Sequence, residues 1–342
     1  MKTFTSAPSM FVRIITFGLV LSALCLTAEA QQGTGQAVSP KSRAQVQALL
    51  DQADSASRQG QNEKALNYYK QTLSLARAAG DKSKQSTILN NIGLVYSHTG
   101  EPQKALNYYQ QALSIEKAVG DKAGEATTLS NIGVVYSDTG EPQKALNYYQ
   151  QASSIRKVVG DKAGEAATLS GIGLCYLNIG QPQKALSYYK QALPLAKAVG
   201  DKSQQATTLS NIGQVYSHTG QPQKALSYYQ QALSIKKAVG DKAGEATILS
   251  NIGYIYSQTG QPQKALDYYK QALPLARAAG DKSQQATTLN NIGLVYSHTG
   301  QPQKALDYLQ QALPLEQATG DKARAAAILS SIDAITKAAS KP

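Results

Sequence analysis

Three histidines, His98, His218 and His298, are the residues of this 342-residue chain whose type most readily suggests a metal site. Their spacing argues against one. They sit in nearly identical sequence contexts 120 and 80 positions apart, whereas ligands must converge to within about 2 to 3 Å of a single ion. Packed helices stand about 8 to 10 Å apart, so one chain cannot easily bring the three rings together. Catalytic signatures are also missing: there is no P-loop, no G-x-S-x-G, no His-Glu-x-x-His and no Cys-x-x-Cys. Carboxylates such as Asp121, Glu125, Asp161 and Glu165 fall where helices begin and can satisfy free amides and the helix dipole. The chain is therefore expected to be no enzyme and to need neither metal nor cofactor.

What positions these residues is a repeat. Gly-Asp-Lys recurs at 80, 120, 160, 200, 240, 280 and 320, a fixed period of 40. A hydrophobic content of 42% supplies a core and excludes disorder, and two cysteines exclude a disulfide scaffold. Cys175 aligns with Val95, Val135, Val215, Ile255 and Val295, which makes it a buried small hydrophobe rather than a reactive thiol.

In the unit 121–160, Leu129, Ile132, Gly133 and Tyr136 fall at i, i+3, i+4 and i+7, the stripe of an amphipathic helix. Ala145, Tyr149 and Ala152 mark a second helix. Asp121 can cap the first helix, Gly140 can close it in the left-handed conformation, and Pro142 suits the first turn of the second. Asp201 with Gln204 and Asp281 with Gln284 read as fuller capping boxes, each glutamine reaching back to the cap residue's N–H. Gly133 and Ala145 let the two backbones approach while Tyr136 and Tyr149 fill the space beside them. Pro194, Pro274 and Pro314 sit late in second helices and are expected to bend them.

Leu129, Ile132, Gly133, Tyr136, Gly140, Ala145, Tyr149 and Ala152 resemble the signature of the tetratricopeptide repeat family. Two departures are a Leu where Trp is commonest and a period of 40 rather than 34. The family's closing Pro is replaced by Lys117 or Lys157, so the second helix is expected to run on to the next Gly-Asp-Lys. This longer form is similar to the repeats of kinesin light chain and of bacterial multi-repeat scaffold proteins. The resemblance implies an all-α, right-handed superhelical solenoid. It assigns 43–320 to seven helix pairs and 321–342 to a capping helix and tail. The first pair departs as a terminal unit should, with Gln52, Ala53 and Ala56 in place of the Ile, Gly and Tyr of later copies.

In the resembled family the first helices of the pairs form the inner surface. Carried onto this chain, that surface holds Asn91, Asn131, Gly171, Asn211, Asn251, Asn291 and Ser331 in one column. A second column is Leu94, Val134, Leu174, Gln214, Tyr254 and Leu294. The third is His98, Asp138, Asn178, His218, Gln258 and His298, with Thr87, Thr127, Thr207, Thr247 and Thr287 a turn away. An asparagine ladder offers donors and acceptors that can hold the backbone of an extended peptide. The competing reading is that each asparagine braces a neighbouring helix. Gly171 interrupts the ladder, through a register change in the ligand, a pocket, or drift in a degenerate copy. The family's carboxylate clamp is not expected, because its Lys and Arg positions here carry Asn, Ser, Thr and aliphatic residues.

Lys2 and Arg13 precede a short apolar run, 14–26, and Ala28-Glu29-Ala30 follows it. This reads as a signal peptide over 1–30, cleaved after Ala30, with 31–42 a flexible lead-in. An uncleaved anchor is the rival reading. The formal net charge of +12 comes from lysines dealt out one per copy, Lys64, Lys104, Lys144 and onward, with no basic block. Nucleic acid is not expected as a partner, and membrane contact is at most peripheral. The sequence thus reads as an exported, periplasmic or extracellular scaffold that binds a protein or peptide in its concave groove. The alternative is a self-associating protein of the cell envelope.

Overall fold

The computed structural model describes residues 40–339, with side chains from 44 to 338. The signal read at 1–30, its cleavage after Ala30 and most of the lead-in lie outside the described residues. Among the described residues the chain is entirely helical, without a strand, and it divides into two compact units, 40–140 and 141–339.

The first unit contains α1 (Pro40–Arg58), α2 (Asn62–Ala78), α3 (Lys82–His98), α4 (Pro102–Val119) and α5 (Lys122–Asp138). Each helix packs on the next, and α3 also touches α5. Helix α1 begins at Pro40, ahead of the start at 43 read from the sequence; proline's fixed φ suits a first turn.

The second unit contains α6 (Pro142–Val159), α7 (Lys162–Asn178), α8 (Pro182–Ala198), α9 (Lys202–His218) and α10 (Pro222–Ala238). It continues with α11 (Lys242–Gln258), α12 (Pro262–Ala278), α13 (Lys282–His298), α14 (Pro302–Thr319) and α15 (Lys322–Ala339). Sequential neighbours pack throughout, α7 reaches α9, and α11 reaches α13.

Helix ends follow the local chemistry read from the sequence. Asp121 accepts from the Gly124 N–H at 2.9 Å, and Asp81, Asp161, Asp201, Asp241, Asp281 and Asp321 make the same bond. Such a cap stabilises by about 1 kcal/mol. At the other end Gly100 has φ of 75°, which lets the Glu101 N–H turn back to the Tyr96 carbonyl at 2.9 Å. Helix α4 runs on to Val119, as the missing proline implied. Pro194, Pro274 and Pro314 lie within single uninterrupted helices, α8, α12 and α14.

One local expectation is corrected. The glutamines of the supposed capping boxes do not return to their caps. Gln204 Nε2 donates to Ser170 Oγ at 2.9 Å, and Gln284 Nε2 to Ser250 Oγ at 3.0 Å. A preceding helix supplies a nearby hydroxyl, so the amide ties two repeats together instead of closing its own turn.

Four helix glycines stand directly against a buried ring. A Cβ on Gly93 would stand 2.7 Å from the Tyr109 ring, and Gly173, Gly213 and Gly253 stand likewise against Tyr189, Tyr229 and Tyr269. Those tyrosines are almost fully buried, with Ile92, Ile212 and Ile252 beside the glycines equally so. Tight packing of this kind makes even one added methyl costly.

Candidate functional site

The proposed inner columns are described within each unit. In the first, Asn91, Leu94 and His98 share one face of α3, and Asn131, Val134 and Asp138 share one face of α5. Leu94 and Val134 are each 40% exposed, which a large apolar side chain in a settled core would not be. His98 is exposed at the last turn of α3.

The two asparagines of this unit are committed to the fold. Asn91 Nδ2 reaches Asp54 Oδ1 at 3.5 Å, the same oxygen that takes the Tyr69 hydroxyl. Asn131 Nδ2 donates to Asn90 Oδ1 at 2.9 Å, and Asn90 Nδ2 donates to Thr128 Oγ1 at 3.0 Å. Thr128 Oγ1 donates to Glu116 Oε1 at 2.9 Å, completing a polar chain that ends inside the protein.

In the second unit the gap at Gly171 has a physical cause. A Cβ there would lie 2.8 Å from Tyr149 Cζ, so the tyrosine ring occupies the place of the missing side chain. Asn211 is buried, and its Oδ1 has no hydrogen-bond partner. Asn251 and Asn291 are half-buried and make no hydrogen bond among the described residues. Beside them Tyr254 is 42% exposed, while Gln214 and Leu294 are half-buried.

His218 and His298 are exposed at the ends of α9 and α13, and desolvation lowers the pKa of His218. Among the described residues, no cluster of three or more His, Cys, Asp or Glu side chains is placed to hold a metal. Thr127, Thr207 and Thr247 donate their hydroxyls to the carbonyls of Ala123, Ser203 and Ala243 in their own helices. They can therefore offer a ligand only acceptor lone pairs without giving up those bonds.

Sequence reasoning missed a column of buried charge. Glu116, Arg156, Lys236 and Glu316 occupy one position late in the second helices, each less than 10% exposed, where Ala76, Ala196 and Ala276 stand in other copies. Arg156 approaches Asp161 at 3.7 Å, Lys236 meets Asp241 at 2.5 Å, and Glu316 meets Arg324 at 3.1 Å.

Glu116 is the exception, because it faces Asp121 and Glu125 rather than a cation. Burial, augmented by those two carboxylates and opposed by the Thr128 hydrogen bond, raises its pKa from 4.5 to about 7. A signal was present in the chain itself. Glycine follows eight residues after Glu116, Arg156 and Lys236, at 124, 164 and 244, but glutamine or lysine follows the alanines.

Helix pairs joined by short glycine turns and repeated every 40 residues define an α-helical repeat protein. The tetratricopeptide repeat profile matches in overlapping segments, 42–118, 84–158, 124–198, 164–238, 204–278 and 244–318. The chain belongs to the tetratricopeptide repeat family, whose fold typically serves as a scaffold for protein interactions. No curated protein matches it in sequence.

Among solved structures, the apo form of RapI is similar with a TM-score of 0.66 at 16% identity, covering 80% of this chain and 98% of RapI. The apo quorum sensor NprR from B. thuringiensis has a TM-score of 0.65 at 18% identity, over 80% of this chain and 77% of NprR. A Rap protein complexed with Competence and Sporulation Factor has a TM-score of 0.55 at 17% identity, over 86% of this chain and 98% of that one. At these identities the likeness is one of fold.

Proposed function

We propose that this protein is an exported, non-catalytic scaffold that takes an extended peptide or protein partner along the first helices of its repeats. The observation that carries the reading is the face made by α11 and α13. Asn251 and Asn291 leave both amide functions uncommitted there, next to the exposed Tyr254 ring and the half-buried Leu294. Free amides can pair with peptide backbone while an aromatic ring supplies apolar contact, a combination that recurs where extended segments dock. The family's fold supports the same reading, as does the Rap relative solved with Competence and Sporulation Factor. Export rests on the sequence features of residues 1–30.

The test is capture from an envelope extract by wild type and by a Tyr254→Ala/Asn291→Ala variant whose helicity is unchanged. Loss of specific captured proteins supports the reading, and an identical capture profile overturns it. Mass determination of the exported protein tests cleavage after Ala30, which retention of residues 1–30 would reject.

Self-association is the second reading, favoured by Leu329, which is 43% exposed on the terminal helix α15. Light scattering decides it. A stable monomer at all concentrations removes it, and a larger species that Leu329→Glu dissolves supports it.

A further inference from the structure

The pairs α3–α4, α7–α8, α9–α10, α11–α12 and α13–α14 share one arrangement of two tyrosines and a lysine. Tyr96 stacks on Tyr108, Tyr176 on Tyr188, Tyr216 on Tyr228, Tyr256 on Tyr268 and Tyr296 on Tyr308, with ring centroids 5.3 to 5.6 Å apart. In each case the first ring is contributed by the first helix of the pair. A lysine from the second helix then covers that ring, its Nζ 5.1 to 5.4 Å from the centroid, from Lys104 over Tyr96 to Lys304 over Tyr296. The ring thus meets both an aromatic face and an ammonium, each attractive to a π system.

The first pair retains two of these three parts. Tyr68 and Lys64 are in place on α2, but the α1 position that supplies the ring elsewhere is Ala56, which is buried. A cavity of about 140 Å³ opens there, lined by Ala56 and Tyr68 together with Gln52, Ser55, Gln59, Gln61 and Lys64. The cavity is open to solvent on the side of the exposed Gln52, Gln59, Gln61 and Lys64.

Lys64, like Lys184, also lacks the acceptor that the other lysines meet. Lys104 pairs with Glu101, and Lys224, Lys264 and Lys304 each donate to a glutamine oxygen at 2.8 Å. Among the described residues Lys64 meets neither a ring nor an acceptor. Tyr68 likewise has no stacked partner there.

We infer that this cavity is a binding site for a phenol ring, which takes the place held by a tyrosine of the chain itself in the later pairs. The ring stacks on Tyr68 beneath the Lys64 ammonium, and its hydroxyl meets the Gln52 amide, since the Gln59 amide already donates to Ser55 Oγ and the Gln61 amide to Gln59 Oε1. The site lies wholly within the first pair and is independent of the face proposed above for the partner.

The test titrates the full chain with p-cresol, with N-acetyl-tyrosinamide and with 4-methylcyclohexanol, following the Tyr68 and Ala56 signals by NMR. Saturable shifts with p-cresol, and binding at least 10-fold weaker for the non-aromatic alcohol, support the site. Binding of the tyrosinamide as well identifies a peptide tyrosine as the ligand, and binding of p-cresol alone identifies a free phenol. Equal binding of 4-methylcyclohexanol, or no shift at Tyr68, overturns the inference.

Ala56→Tyr supplies the chain's own ring and is expected to abolish binding; unchanged binding in that variant also overturns it. Should Ala56→Tyr not fold, Tyr68→Leu provides the same decision, with a loss of at least 10-fold expected and no change refuting.

Discussion

A Cβ on Gly164 would lie 1.8 Å from Nη1 of Arg156. Arg156 sits on the last turns of α6 and Gly164 on the first turn of α7, so the glycine exists to admit the guanidinium. The same relation holds at lower severity between Lys236 and Gly244, with a Cβ 2.8 Å from Cδ, and between Glu116 and Gly124, at 3.1 Å from Cγ. Where the second helix carries alanine instead, the space closes differently. Gln85, Gln205 and Gln285 donate their side-chain amides to the carbonyls of Ala76, Ala196 and Ala276 at 3.1 to 3.2 Å. The chain therefore uses two kinds of joint, glycine opposite a buried long side chain at 116, 156 and 236 and a longer residue opposite alanine at 76, 196 and 276, while Glu316 faces Arg324 instead.

The joint at Arg156 makes a directional prediction. Gly164→Ala alone forces the buried guanidinium out of place and is expected to destabilise by about 1 to 3 kcal/mol, the usual range for overpacking. Arg156→Ala/Gly164→Ala removes the clash, so the second substitution costs much less in that background. Thermal unfolding of the four proteins of the cycle gives the coupling, and additive effects would contradict the relationship.

Glu116 gives the chain a pH dependence whose sign follows from its environment. Its folded pKa of about 7 stands above the ordinary value of 4.5, so the folded state holds a proton that the unfolded state has released. The stability this provides is fully present below pH 4.5 and is lost as pH rises through 7. For a shift of that size the loss is about 3 kcal/mol. Glu116→Gln keeps the hydrogen bond from Thr128 without the charge. Its stability relative to wild type should therefore grow between pH 5 and 8, measured by denaturant titration at each pH. A constant difference across that range would refute the assignment.

The repeat, the helix ends and the two helices per unit were legible in the sequence because they are written in local terms: a period, a cap residue, a left-handed glycine. Gln204 shows where that reading stops. Its spacing from Asp201 satisfies a capping box, but Ser170 on an earlier helix competes for the amide and wins. Gly171 shows the same for the site, since no local rule says that Tyr149 projects into its position. The asparagine column was visible as a pattern, but which members are free depends on neighbours such as Asp54 and Asn90 that lie a repeat away. The missing ring at Ala56 could be read from the sequence, whereas the cavity that it leaves required Tyr68 and Lys64 in space.

Gly173 predicts the cost of crowding a core ring. A Cβ there would meet Tyr189 at 2.7 Å, and Tyr189 has no exposed surface into which to retreat. Gly173→Ala should lower stability by about 1 to 3 kcal/mol. Adding Tyr189→Leu should recover little, because a Cβ on Gly293 would still stand 2.8 Å from the corresponding Leu309. Urea midpoints of the two variants check both statements, and a neutral Gly173→Ala would show that the ring can shift after all.

The asparagine ladder separates into members that hold the fold and members that remain free, and substitution should separate them in the same way. Asn131 supports Asn90, which in turn holds Thr128 against the buried Glu116. Asn131→Ala is therefore expected to lower stability by about 1 kcal/mol, the net worth of one such bond. Asn251 makes no hydrogen bond among the described residues, so Asn251→Ala should change stability by no more than about 0.5 kcal/mol. Its effect belongs on partner capture, which should fall while the melting curve stays in place. Loss of stability without loss of capture at Asn251 would return the whole ladder to a bracing role and remove the α11 and α13 face as the docking surface.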